Sequence, residues 1–146
     1  MSTEDHILIA DDDSDFVLLL RTAFEYAGFE GRTDVVSNGL QAIEHLKAII
    51  EQREGSLPCL SLLDLGLPRC PGVAVLHWIR EQSALAELPV VLMTGIETGT
   101  EPRLVAEFGA DDWLVKPFGF NKLVLMAHDL CTRWSAGTHH YRLAHY

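Results

Sequence analysis

The chain has 146 residues, 48% of them hydrophobic and 22% charged, a balance that excludes a disordered polymer and gives one domain enough apolar material to bury a core without staples. Its formal net charge of −10 would repel a phosphate backbone, so nucleic-acid binding is not expected. The three cysteines, Cys59, Cys70 and Cys131, form neither a CxxC pair nor an even set, which argues against a disulfide framework or a zinc site and for a reducing cytoplasm. The acidic first six residues run straight into a strand with no signal peptide, and no apolar run is long enough to cross a bilayer.

Strand-like and helix-like stretches then alternate, which predicts a doubly wound α/β fold with a five-stranded parallel sheet between two layers of helices. The first strand is Ile7 to Ala10. Asp13 or Ser14 caps a helix whose residues Phe16, Leu19, Leu20, Ala23, Phe24 and Ala27 recur at helical spacing before Gly28 ends it. Thr33 to Val36 is a weaker second strand, and Asn38-Gly39 opens a helix that turns Ala42, Ile43, Leu46, Ile49 and Ile50 inward before the charged stretch 51–55 closes it. The apolar run 60–63 stops on Asp64 and meets Gly66, Pro68, Pro71 and Gly72, so it reads as a buried third strand followed by a turn. A helix from Val73 to Gln82 presents Val75, Leu76 and Ile79, and Pro89 to Met93 makes the fourth strand. Gly95 and Gly99 delay the helix at Pro102 to Phe108, the segment expected to be held most loosely. Asp111 to Val115 is the fifth strand, and the last helix, Gly119 to Trp134, places Phe120, Leu123, Val124, Ala127, Leu130 and Cys131 on one face. The domain is bounded at 5–134, with a polar, aromatic tail at 135–146.

In an open parallel sheet, ligands gather at the carboxyl ends of the strands. The first strand ends in Asp11, Asp12 and Asp13, the third in Asp64, the fourth in Thr94 and the fifth in Lys116. Asp11, Asp12 and Asp64 in one crevice would repel one another unless a divalent cation lay among them, and an all-oxygen donor set favours magnesium. A carboxylate nucleophile, an acidic metal site, a hydroxyl and an ammonium together meet the needs of phosphoryl transfer, where charge develops on the equatorial oxygens. An aspartate at a strand end is also a common helix cap, and Asp13 is better read that way.

The stretches Ile-Leu-Ile-Ala-Asp11-Asp12-Asp13, Leu-Leu-Asp64-Leu-Gly-Leu-Pro68, Val-Leu-Met-Thr94-Gly95 and Trp113-Leu-Val-Lys116-Pro117-Phe118 resemble, in order and spacing, the receiver domain of bacterial response regulators, with its flavodoxin-like fold. The resemblance spans residues 5 to 134. It implies that Asp64 is the phospho-acceptor, that Asp11 and Asp12 hold Mg2+ together with Asp64 and the carbonyl of Gly66, that Thr94 is the switch hydroxyl, and that Lys116 pairs with the phosphate. It also implies a cis peptide before Pro117. Trp113 stands where the family usually places a Tyr or Phe that turns inward on activation, and indole is too bulky to be expected inside. Gly66 and Ile96 replace residues that are commonly polar, so phosphoryl lifetime is expected to differ, with apolar Ile96 screening the acyl phosphate from water.

The resemblance implies a sensor histidine kinase as phosphodonor, a phytochrome in one branch of such regulators, and a homodimer through the fourth helix, fifth strand and fifth helix. No output domain follows, so a stand-alone, non-enzymatic regulator is expected. Val17 and Leu18, outside the expected core stripe and beside the acids, offer a kinase docking surface, and Leu125 and Met126 offer one for the dimer. Trp78 and Trp134 read as packing residues, the cysteines as small buried hydrophobes, and His139 and His140 as a solvated tail. Two other classes compete. A haloacid-dehalogenase-like phosphatase would use Asp11 as nucleophile and Asp13 as general acid, but the chain offers neither a cap insertion nor a late acidic pair ending a strand. A non-phosphorylated interaction module on the same fold would leave the filled chemical positions without a purpose.

Overall fold

The computed structural model describes residues 5–52 and 55–134. In chain order it contains β1 (His6–Ala10), α1 (Ser14–Tyr26), β2 (Arg32–Val36), α2 (Gly39–Gln52), β3 (Leu60–Asp64), α3 (Gly72–Glu81), a 3-10 turn (Ser83–Leu85), β4 (Val90–Thr94), α4 (Glu101–Phe108), β5 (Asp112–Val115) and α5 (Phe120–Arg133). All strand pairs are parallel and the sheet order is β2-β1-β3-β4-β5. The chain therefore winds outward in both directions from the gap between β1 and β3, and a crevice opens at the carboxyl ends of those two strands. This is the flavodoxin-like α/β fold expected from the alternation of elements.

The central strands β1 and β3 are buried along their whole length, which is why they read as continuous apolar runs rather than alternating ones. One face of the sheet packs Ile7, Ile9, Leu60 and Leu62 against Leu20 and Phe24 of α1 and Leu123, Ala127 and Leu130 of α5. The other packs Leu8, Leu63 and Leu92 against Leu46 of α2 and Val75, Leu76 and Ile79 of α3. Each fully buried Leu or Phe contributes about 1.5–3 kcal/mol of apolar transfer free energy, and the two layers clamp the strand ends from both sides.

Two helices sit rotated from the expected stripe. In α1 the buried residues are Val17, Leu20, Ala23 and Phe24, whereas Leu19 is exposed beside Leu18. In α5 Met126 is fully buried and only Leu125 of the pair is exposed. Residues 16–20 and 123–127 are each five apolar or small residues in succession, so periodicity alone permits several orientations. The contact between α1 and α5 across the same sheet face selects one. Val17 and Met126 thus belong to the core.

The α4 helix is short, and its only buried residue is Glu101. That carboxylate accepts from the Thr98 and Gly99 backbone N–H groups and the Thr98 hydroxyl, tying the exposed 95–100 segment to the helix start. Trp134 is buried and stacks under the Arg133 guanidinium at 4.3 Å, in keeping with a packing role, while Trp78 is half-buried. The three cysteines are half-buried and form no disulfide among the described residues, and burial pushes the Cys59 and Cys131 thiols up to about 12 and about 11. The tail with His139 and His140, and Arg53 and Glu54 after α2, lie outside the described residues. Among the described residues no helix is long and apolar enough to cross a membrane.

Candidate functional site

Each site residue is delivered by the end of a strand. Asp11 follows β1 directly and is 2% exposed. Its Oδ1 accepts from the Asp13 N–H at 2.9 Å, which aims Oδ2 into the crevice, 2.7 Å from Lys116 Nζ. Asp13 itself turns away to cap α1, accepting from the Phe16 N–H at 3.1 Å. Asp12 is exposed at the rim. Asp64, the last residue of β3, is 8% exposed, and its Oδ1 lies 3.7 Å from Lys116 Nζ. One carboxylate oxygen from each of Asp11, Asp12 and Asp64 lies within 4.8 Å of the others.

The electrostatics follow from that crowding. Burial raises the Asp64 carboxyl above the ordinary carboxylate range, the negative charges of Asp11 and Asp12 push the same way, and Lys116 and the Gly66 backbone N–H pull against them. Lys116 leaves β5 after donating its backbone N–H to the Thr94 carbonyl, and its ammonium also lies 4.6 Å from the Phe16 ring centroid. One cation is therefore shared by two buried carboxylates, and with Asp12 beside them the cluster keeps a negative excess. A cluster of hard oxygen donors with a negative excess suits a divalent ion such as Mg2+, so the residues present fit the metal that such a site requires. The contact at Gly66 runs through its N–H toward Asp64.

Thr94 ends β4 at the crevice, but its hydroxyl is engaged by the following loop, donating to the Ile96 carbonyl at 2.8 Å and accepting from the Ile96 N–H at 3.3 Å. The Ile96 side chain is 76% exposed. Trp113 is 6% exposed and packs in the cluster between the sheet, α3 and α4, so indole bulk does not keep it outside. The same cluster includes Ala110 and the partly buried Leu104, Val105 and Phe108. The peptide before Pro117 is trans, correcting the cis expectation, as no described peptide is cis. An X–Pro bond intrinsically prefers trans by about 0.5–1 kcal/mol, and the chain reversal into α5 is made instead by Gly119 at φ 93°.

Two contributors were not singled out by sequence. Phe16 reads as core periodicity, yet its ring lies beside the ammonium. Gly72 reads as a turn former, but a Cβ there would lie 2.4 Å from the Asp64 carbonyl oxygen, so glycine lets α3 start against the acceptor's own backbone. Only the close approach of α3 and β3 reveals that need. Beside the acids, a cleft of about 340 Å³ is lined by Asp11, Asp12, Ser14, Val17, Leu18 and Arg21 among others.

A family model described as the response regulator receiver domain matches residues 7–128. The chain is 31% identical over 128 residues to the probable methanogenesis regulatory protein FilR2 of Methanothrix harundinacea, covering 88% of this chain and 82% of that protein. It is 33% identical over 127 residues to the transcriptional regulatory protein GltR of Pseudomonas aeruginosa, covering 87% of this chain but 49% of the relative, so it spans about half of that protein's length. Among solved structures, the bacteriophytochrome response regulator RtBRR superposes with a TM-score of 0.73 at 30% identity, covering 90% of this chain and 81% of that one. The matched segment contains every strand end that forms the acidic crevice, and the chain belongs to the response regulator receiver family.

Proposed function

We propose that Asp64 accepts a phosphoryl group from a phosphohistidine, with Asp11 and Asp12 holding Mg2+ beside it and Lys116 and Thr94 receiving the phosphate oxygens. The observation that carries this reading is the Lys116 ammonium placed between two buried carboxylates, 2.7 Å from Asp11 and 3.7 Å from Asp64. In the transfer, an Asp64 carboxylate oxygen attacks phosphorus, the P–N bond to the donor imidazole breaks, and a mixed anhydride forms as the imidazole leaves. Bound Mg2+ would supply charge neutralisation among the three acids. Lys116 is then free to exchange its carboxylate partners for a phosphate oxygen. The Thr94 hydroxyl, now donating to Ile96, would turn toward the same phosphate and draw the 95–100 segment with it, biasing α4 and the Trp113 surroundings between two arrangements. In this role the chain is a signalling phospho-acceptor rather than a turnover enzyme.

The haloacid-dehalogenase arrangement is disfavoured because Asp13, its general acid, is committed to capping α1 and Asp11 is the more deeply buried of the two site carboxylates. A sensor histidine kinase is the proposed donor, docking its helix on exposed Leu18 over the cleft beside Asp12, and a cytoplasmic reaction is proposed with it. The likeness to a bacteriophytochrome response regulator supports a phytochrome-type kinase. A homodimer through α4, β5 and α5 is proposed with exposed Leu125 at its surface, and a monomeric mass in light scattering with and without a phosphoryl mimic would refute it.

The test of phospho-acceptance is intact mass after incubation with acetyl phosphate. The wild type should gain one phosphoryl group only with magnesium, and Asp64→Asn should gain none. Modification of Asp64→Asn to the same extent as wild type would move the acceptor elsewhere, and turnover lost only in Asp11→Asn would restore the phosphatase reading.

A further inference from the structure

A second cluster lies at the other end of the sheet, beneath α2. Parallel pairing sets His6 opposite Arg32 and Leu8 opposite Asp34, so His6 and Asp34, two residues apart in register, share one face of the sheet. His45 reaches the same place from α2. Asp34 Oδ2 lies 3.8 Å from His6 Nε2 and 3.5 Å from His45 Nε2, and the ligand atoms of all three residues fall within 4.8 Å of one another. His6 is 1% exposed, and among the described residues neither of its ring nitrogens, nor His45 Nε2, has a hydrogen-bond partner. Buried polar atoms are ordinarily satisfied, so unpartnered imidazole nitrogens aimed at a carboxylate call for a ligand.

We infer that His6, His45 and Asp34 form a transition-metal site of the zinc class, separate from the phosphoryl site and independent of its function. In a tetrahedral zinc centre with ligand bonds of about 2.0–2.1 Å, donor atoms stand roughly 3.3 Å apart, close to the 3.5 and 3.8 Å separations here. Two imidazoles and one carboxylate select zinc-class ions over magnesium, which prefers oxygen and water. Arg32 Nε holds the other Asp34 oxygen, Oδ1, at 3.0 Å, leaving Oδ2 for the metal in the manner of an outer-shell partner. Burial, with Arg32, holds the His6 ring below its ordinary pKa, which keeps it in the neutral form that ligates. The partly exposed side chains of Asp34 and His45 leave a fourth position for water. His6 opens β1 and Asp11 follows its end, so the two sites are separated by roughly 16 Å of strand. A bound ion would cross-link the edge strand β2, the central strand β1 and α2.

The test uses Co2+ as a spectroscopic probe on the full, metal-free chain, with excess Mg2+ to occupy the oxygen donors around Asp64. Wild type should take up one equivalent with the visible absorption of four-coordinate Co2+, and Zn2+ should displace it. His45→Gln and Asp34→Asn, both at partly exposed positions, should each weaken uptake by about 100-fold or more, since loss of an outer-shell partner alone costs about 10–100-fold. Uptake should persist in Asp11→Asn and in the His139→Gln/His140→Gln double variant. Absence of uptake by wild type at micromolar Co2+, uptake unchanged in His45→Gln, or uptake abolished in the tail variant would each overturn the assignment.

Discussion

Replacing Lys116 with methionine keeps most of the apolar stem and removes the one ammonium that faces two buried carboxylates. At 2.7 Å from Asp11 Oδ2 the attraction is worth roughly 6 kcal/mol at an effective dielectric of about 20, and desolvation of the ions offsets part of it. Breaking a buried pair by removing one partner typically costs about 3–5 kcal/mol, because the remaining charge is left uncompensated. The Lys116 side chain is 15% exposed and that of Asp64 12%, so the lower end, about 3 kcal/mol, is expected in magnesium-free buffer. Urea denaturation measures it through the midpoint at constant slope. Magnesium should recover part of the loss by supplying positive charge to the same acids, and adding Asp11→Asn to Lys116→Met should recover part of it without metal. A magnesium-free Lys116→Met variant within about 0.5 kcal/mol of wild type, the range of an ordinary surface change, would refute the view that this ammonium holds the crevice together.

The raised Asp64 carboxyl gives a pH dependence of definite sign. Its folded pKa lies above its unfolded value, so its favourable contribution to stability is present below the unfolded pKa and lost as pH rises through the folded one. In magnesium-free buffer Asp64→Asn should therefore be more stable than wild type at pH 7, with the difference shrinking toward pH 4; equal stability at both pH values would contradict the assignment of burial as the cause. Gly72→Ala forces a Cβ to 2.4 Å from the Asp64 carbonyl oxygen, so a loss of about 1–3 kcal/mol from overpacking and slower loading are expected together. An unchanged melting temperature would mean that α3 yields freely.

The alternation of strands and helices and the chemistry at the strand ends were legible in the sequence because both are local signals, whereas the sheet order β2-β1-β3-β4-β5 came with the fold. An apolar run that stops on a carboxylate and meets glycine and proline marks a buried strand and its exit, and parallel winding brings such exits to one edge. Asp11, Asp12, Asp64, Thr94 and Lys116 could be read off in this way, and the structure brings the three acids and the ammonium together. The orientation of α1 and α5 could not, since five successive apolar or small residues at 16–20 and at 123–127 fit more than one stripe and only their mutual packing buries Val17 and Met126. The trans bond before Pro117, the buried Trp113 and the hold of Ile96 on the Thr94 hydroxyl likewise depend on the surrounding packing and loop conformation. The meeting of His6, Asp34 and His45 needs the β1–β2 register and the docking of α2 at once. Single-residue identity and short-range period are written along the chain, whereas the pairing of groups dozens of residues apart comes into being only when burial forces those surfaces into contact.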